Sequence, residues 1–215
     1  TDEGISILNG TGFNNITADN GLPGKVTLTF MEDDDHNIWA GTSDGGLNKI
    51  NIISPDSFSI KNYSDKNGMS NNSVFDIFRD KEKRLWLATF GGINIFTPNK
   101  DSFDITVLHS GRDIPSDMLL TIEEDTKGNL WFGTGDAGVF KIKKIKDGKA
   151  GEVIRYNFFN GFPSNTVWKI LSDKKSGKLW FGTGENGLCG FQQDSAKKGF
   201  VSFDMHDGLP NNVVL

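Results

Sequence analysis

The chain has 215 residues, 26 of them Gly, with 36% hydrophobic and 24% charged residues, which is enough for a sizeable core and far from a low-complexity composition. A single cysteine excludes an internal disulfide framework and a multi-cysteine zinc site, and a formal net charge of −5 argues against a nucleic-acid-binding face. The apolar runs fall far short of a membrane span, and no charged start followed by an apolar stretch reads as a signal peptide.

Residues 1–20 read as the tail of a truncated repeat, because Thr1-Asp2-Glu3-Gly4-Ile5 matches the later Thr89-Phe90-Gly91-Gly92-Ile93. The first full copy, 21–67, opens on Gly21-Leu22-Pro23. It continues through Phe30, a turn aspartate Asp33, the phrase Asn37-Ile38-Trp39-Ala40-Gly41-Thr42 and then Gly46-Leu47. The second, 68–112, has Gly68-Met69-Ser70, Ile77, Asp80, Arg84-Leu85-Trp86-Leu87-Ala88-Thr89 and Gly92-Ile93. The third, 113–160, has Asp113-Ile114-Pro115, Ile122, Asp125, Asn129-Leu130-Trp131-Phe132-Gly133-Thr134 and Gly138-Val139. The fourth, 161–207, has Gly161-Phe162-Pro163, Ile170, Asp173, Lys178-Leu179-Trp180-Phe181-Gly182-Thr183 and Gly187-Leu188. Residues 208–215 open a further copy with Gly208-Leu209-Pro210. The tryptophans stand 47, 45 and 49 residues apart, and the last follows its aspartate by seven residues where the others follow by six.

Each copy contains four strand-length runs separated by turn clusters, with no sustained helical periodicity. That predicts an all-β fold of four-stranded antiparallel β-propeller blades, with a repeat of about 47 residues. One blade cannot bury both faces, so the tryptophan and Ile columns are expected to fill the space between stacked blades. Trp39, Trp86, Trp131 and Trp180 are read as packing, with each indole N–H bonded to a backbone carbonyl. Asp33, Asp80, Asp125 and Asp173 are read as turn residues that accept bonds from turn amides, not as metal ligands. Thr1 resembles a cut end, and the expectation is an open arc from a larger, seven-bladed ring, associating through its uncovered blade faces.

The two positions after the Pro column are polar in every later copy: Asn71-Asn72, Ser116-Asp117, Ser164-Asn165 and Asn211-Asn212. They lead into the first strand of each blade, the innermost strand of a propeller. As a set they are the candidate rim for a polar solute; one at a time they read as turn caps. No catalytic residues, metal site or cofactor emerge. Gly133-Thr134-Gly135-Asp136-Ala137-Gly138 and Gly182-Thr183-Gly184-Glu185-Asn186-Gly187 fit the dinucleotide glycine pattern, but a β-run follows where that motif needs a helix. His36, His109 and His206 fall at unrelated phases of the repeat.

With these residues in place, the chain resembles the two-component regulator propeller family. The clearest matches are Gly161-Phe162-Pro163-Ser164-Asn165-Thr166-Val167 and the run Asp125-Thr126-Lys127-Gly128-Asn129-Leu130-Trp131-Phe132-Gly133-Thr134. Ser70 departs from the family's Pro, and Ala88 and Asp113 from its Gly. The resemblance implies the extracytoplasmic, periplasmic sensor propeller of a membrane-spanning regulator such as a hybrid histidine kinase. It implies as partners a small polar ligand such as an oligosaccharide, further blades and signalling domains of a longer chain, and a homodimer, without nucleic acid or a membrane span here. One alternative is a propeller scaffold for protein–protein interaction, although the tryptophans lack the following Asp of WD40 repeats. A propeller glycosidase or lyase is the weaker alternative. Asp-box glycosidases carry Ser two residues before the turn Asp, where this chain has Met31, Phe78, Glu123 and Leu171.

Overall fold

A computed structural model of the chain describes residues 3–10, 12–54, 57–100, 102–143, 151–192 and 199–215. The described residues are all-β apart from single-turn 3-10 helices. A hairpin of β1 (Ile5–Asn9) and β2 (Gly12–Ile16) precedes four antiparallel four-stranded sheets, each with its strands in chain order. The first sheet holds β3 (Thr27–Glu32), β4 (Ile38–Thr42), β5 (Leu47–Ser54) and β6 (Ser57–Tyr63). The second holds β7 (Val74–Arg79), β8 (Leu85–Thr89), β9 (Gly92–Asn99) and β10 (Ser102–Leu108). The third holds β11 (Leu119–Glu124), β12 (Leu130–Thr134), β13 (Val139–Ile142) and β14 (Val153–Tyr156). The fourth holds β15 (Val167–Asp173), β16 (Lys178–Thr183), β17 (Leu188–Gln192) and β18 (Phe200–Phe203).

The chain divides into two compact units, Thr1–Val107 and Leu108–Leu215. In the first, β7 packs against β3 and β4; in the second, β15 packs against β11 and β12. Sheets that approach through their first strands bury one face of each. Trp39, Leu47, Tyr63, Val74, Leu87 and Phe96 fill that space in the first unit. Trp131, Val139, Phe162, Val167, Ile170 and Phe181 fill it in the second. Gly41 makes the approach possible, since a Cβ there would stand 2.8 Å from the carbonyl oxygen of Val74. The β1–β2 hairpin covers the outer part of the first sheet through Ile16, packed with Leu22, Ala40 and Ile50.

The aspartate and tryptophan columns form one hydrogen-bonded brace. Trp39 Nε1 donates to Asp33 Oδ2, Trp86 Nε1 to Asp80 Oδ2, and Trp131 Nε1 to Asp125 Oδ2, each at 2.8 Å. The indole partner is thus a carboxylate and not the backbone carbonyl expected from the sequence. The other carboxylate oxygen holds the turn: Asp125 Oδ1 accepts from the backbone N–H of Lys127 and of Asn129, both at 2.9 Å. A side chain six residues away on the adjoining strand points back over this turn, so one carboxylate closes both. The fourth copy carries an extra residue and loses the brace. Asp173 accepts from Lys175 N and Ser176 Oγ instead, and Lys178 Nζ lies 3.7 Å above the half-buried Trp180 ring.

The threonine that ends each second strand closes the next turn. Thr134 Oγ1 donates to Gly138 O at 2.9 Å and accepts from Ala137 N at 2.8 Å. Thr42, Thr89 and Thr183 make the same pair of bonds, and all four threonines are fully buried. A buried hydroxyl satisfied as donor and acceptor stabilises the turn without an orphaned polar atom.

Candidate functional site

The loops that enter the first strands form the rim singled out by the sequence. Four of them are preceded by a one-turn 3-10 helix, at Ala18–Asn20, Asp65–Asn67, Phe158–Asn160 and Met205–Asp207; the loop into β11 is not. The last helical side chain reaches back to the N-cap amide: Asn20 to Thr17 at 2.7 Å, Asn67 to Ser64 at 3.1 Å, Asn160 to Asn157 at 2.7 Å, Asp207 to Asp204 at 3.1 Å. The glycine of the Gly-Leu-Pro column then closes the turn at positive φ, 98° at Gly68 and 94° at Gly161. That conformation is why glycine stands there. Where Asp113 replaces this glycine the turn is built differently, with no 3-10 helix. Gly111 takes the positive φ, at 77°, and Asp113 Oδ2 accepts from His109 N at 3.2 Å.

Both positions of the polar column cap the backbone with their oxygens. At the first position, Asn71 accepts from Ser73 N at 2.7 Å, Ser116 from Met118 N at 3.0 Å, Ser164 from Thr166 N at 3.2 Å and Asn211 from Val213 N at 2.9 Å. At the second, Asn72 Oδ1 accepts from Asp65 N at 2.8 Å, Asp117 Oδ1 from Ser110 N at 2.8 Å and Asn212 Oδ1 from Met205 N at 3.0 Å. Asn165 differs: its side chain is exposed and bonded to no described residue, while its carbonyl accepts from Gly138 N at 2.8 Å. Ser116 is closed off, buried and donating to Asp136 Oδ1. Burial works to raise the Asp117 carboxyl, but the two bonds from Ser110 and the nearby His109 outweigh it and hold it below the usual carboxylate range.

The first unit therefore brings Asn71 and Asn72 to its rim. The second brings Ser116, Asp117, Ser164, Asn165, Asn211 and Asn212 to its own. Among the described residues the Nδ2 groups of Asn71, Asn72, Asn165, Asn211 and Asn212 have no partner. These amides can donate to a ligand rich in hydroxyl or carbonyl acceptors, while their oxygens fix the loops that carry them.

Sequence reasoning missed a second feature of the rim. Every first strand carries a β-bulge one residue in, at Leu28, Phe75, Leu120 and Trp168. A bulge re-aims the extra side chain, and here it is always large and apolar. Phe75 lies against Phe90 with ring centroids 4.2 Å apart. Trp168 is 40% exposed and lies beside Gly184, where a Cβ would stand 3.3 Å from its Nε1. The available signal was the apolar doublet at the strand start, Val74-Phe75, Leu119-Leu120 and Val167-Trp168, which breaks the two-residue alternation of an ordinary strand.

Antiparallel four-stranded sheets, packed through their first strands and entered by capped turns, are the blades of a β-propeller. The model of the two component regulator propeller family matches residues 21–44, 68–91 and 113–136, stretches in the first, second and third blades. The chain is 28% identical over 217 residues to Histidine kinase P4 of Formosa agariphila, across 90% of this chain and 14% of the kinase. It is 25% identical to the extracellular domain of the putative hybrid two component system BT3049 from B. thetaiotaomicron, with a TM-score of 0.77 across 98% of this chain and 27% of that one. The chain thus spans about a seventh of the kinase and about a quarter of the extracellular domain. Streptogramin B lyase, 18% identical with a TM-score of 0.67 across 98% of this chain and 64% of that one, shares the fold alone. The chain is thus similar to propeller domains of two-component systems. No helix of the described residues is long and apolar enough to cross a membrane.

Proposed function

We propose that the chain is a ligand-sensing propeller segment of a membrane-spanning two-component regulator, facing the extracytoplasmic, periplasmic side. It recognises a carbohydrate or another polar solute without turning it over. The observation that carries this reading is the likeness to an extracellular two-component domain along 98% of the chain. The rim supports it, with its unpaired amide donors and, in the second unit, the part-exposed Trp168. Ligand binding that favours one arrangement of propellers or paired subunits would bias a cytoplasmic kinase, through differential affinity for the two states.

Calorimetry against a panel of neutral and acidic oligosaccharides tests the reading. Saturable heat with one glycan class and no product supports it; product formation by the purified protein overturns it. Asn165→Ala is the cleanest site variant, because that side chain caps nothing. It weakens binding while leaving the melting temperature unchanged, and unaltered affinity removes Asn165 from the site.

A further inference from the structure

The opposite end of the first unit, at the aspartate turns, holds a cavity of about 280 Å³ where the first and second blades meet. Its lining includes Lys49, Lys61, Arg79, Lys83 and Lys100. Opposing them are Asp33 and Asp35 in the lining and Asp34 just beside it, so five cations face three carboxylates in a chain whose net charge is −5. Asp34 is already committed, 2.7 Å from Arg79 and 3.4 Å from Lys83. Asp33 is committed to Trp39 and its own turn, and Lys49 stands 3.9 Å from it. Among the described residues Lys61 and Lys100 have no carboxylate partner. The cluster therefore has positive charge in excess at the mouth of a concave site.

The repeat supplies an internal control for a merely structural role. Lys49 pairs with Lys61 across β5 and β6, and the same pair across β13 and β14 is Lys141 and Ile154. Arg79 pairs with Leu85, and the matching pair in the fourth blade is Ser172 and Leu179. Lys49 and Lys141 both lie over their tryptophan rings, 5.3 Å and 5.0 Å from the centroids, so that lysine belongs to the blade itself. Lys61 and Arg79 have no such counterpart; the blade folds with Ile and Ser in their places. Arg79 is accounted for by its ion pair with Asp34, whereas Lys61, 5.4 Å from the Tyr63 ring centroid, and Lys100 have no carboxylate to balance them among the described residues.

We propose that this cavity is a binding site for a small multivalent oxyanion, held by the ammonium groups of Lys49, Lys61 and Lys100. The site stands apart from the rim and does not depend on the sensor reading. Two or more negative oxygens on one compact ligand match three lysines around a cavity of this size better than a single chloride-like charge does. Carboxylate and phosphate ligands share this chemistry, and the probes separate them.

The test is titration of the full chain with citrate and, separately, pyrophosphate by calorimetry at low ionic strength. Saturable binding of one or both is expected, weakening as salt rises. Lys61→Ile, which installs the second unit's own residue, and Lys100→Gln are each expected to weaken binding about tenfold. Both side chains are exposed, so the melting temperature should not move; Lys61→Arg should retain binding. Lys141→Gln, at the matching position of the other unit, should leave affinity unchanged. Absence of saturable binding by either anion overturns the proposal. So does equal affinity of wild type and the Lys61→Ile/Lys100→Gln double variant.

Discussion

The brace between Asp125 and Trp131 gives the sharpest energetic prediction. Asp125→Ala removes the acceptor of an indole N–H whose side chain is fully buried, leaving that donor without a partner. An orphaned buried donor costs about 1–3 kcal/mol. The substitution also removes the bonds from Asn129 Nδ2 at 2.8 Å and from the Lys127 and Asn129 amides at 2.9 Å. The freed amides turn toward solvent and recover part of their bonding, adding about 1 kcal/mol to the loss. The expected cost is therefore about 3 kcal/mol. Asp173→Ala is the matched control. That carboxylate occupies the same column, is only partly buried, and holds only its own turn through Lys175 N and Ser176 Oγ, so its loss is expected to cost about 1 kcal/mol or less. Urea titrations of both variants, followed by tryptophan fluorescence and circular dichroism, read the difference. Equal destabilisation by the two substitutions would refute the claim that the indole bond, and not the turn alone, carries the effect.

Acid should weaken the protein below about pH 4. Burial works to raise the Asp33 and Asp125 carboxyls, but the hydrogen bonds from Trp39 and Asn37, and from Asn129 and Trp131, outweigh it and hold both below 3.8. In that window the unfolded chain binds more protons than the folded one. The stabilisation is thus present above the unfolded value and is lost as pH falls through the folded one. The urea midpoint should drop from pH 5 to pH 3, and less steeply in Asp125→Asn. Burial pushes the Cys189 thiol up to about 12, with Ser202 and Lys178 opposing it less strongly. A thiol reagent at pH 8 should therefore label Cys189 only on unfolding, and rapid labelling of the folded chain contradicts that burial. Gly187 has φ at 72° and a Cβ there would stand 2.0 Å from Phe203 O, whereas Gly208, at 99°, has open space. By melting temperature, Gly187→Ala should cost more than about 2 kcal/mol and Gly208→Ala about 1 kcal/mol.

The blade was legible in the sequence because its constraints are local. Asp, Trp, Thr and the turn glycines bond within a few residues of one another, so their spacing recurs in every copy and a change is visible where it fails, as with the extra residue before Trp180. The rim was legible as a polar column. Its use of oxygens as caps, with amide nitrogens left over, depended on the 3-10 turn seven residues back, which brings Asp65 N to Asn72 and Met205 N to Asn212. The bulges left only a faint trace, since an apolar doublet at a strand start is compatible with several registers and pairing with the second strand selects one. The basic cavity was invisible as a motif. Lys49 and Lys61 come from one blade, Arg79, Lys83 and Lys100 from the next, and no fixed spacing joins them. Local hydrogen bonding determined what each repeat is; the packing of one repeat on another decided which side chains share a site.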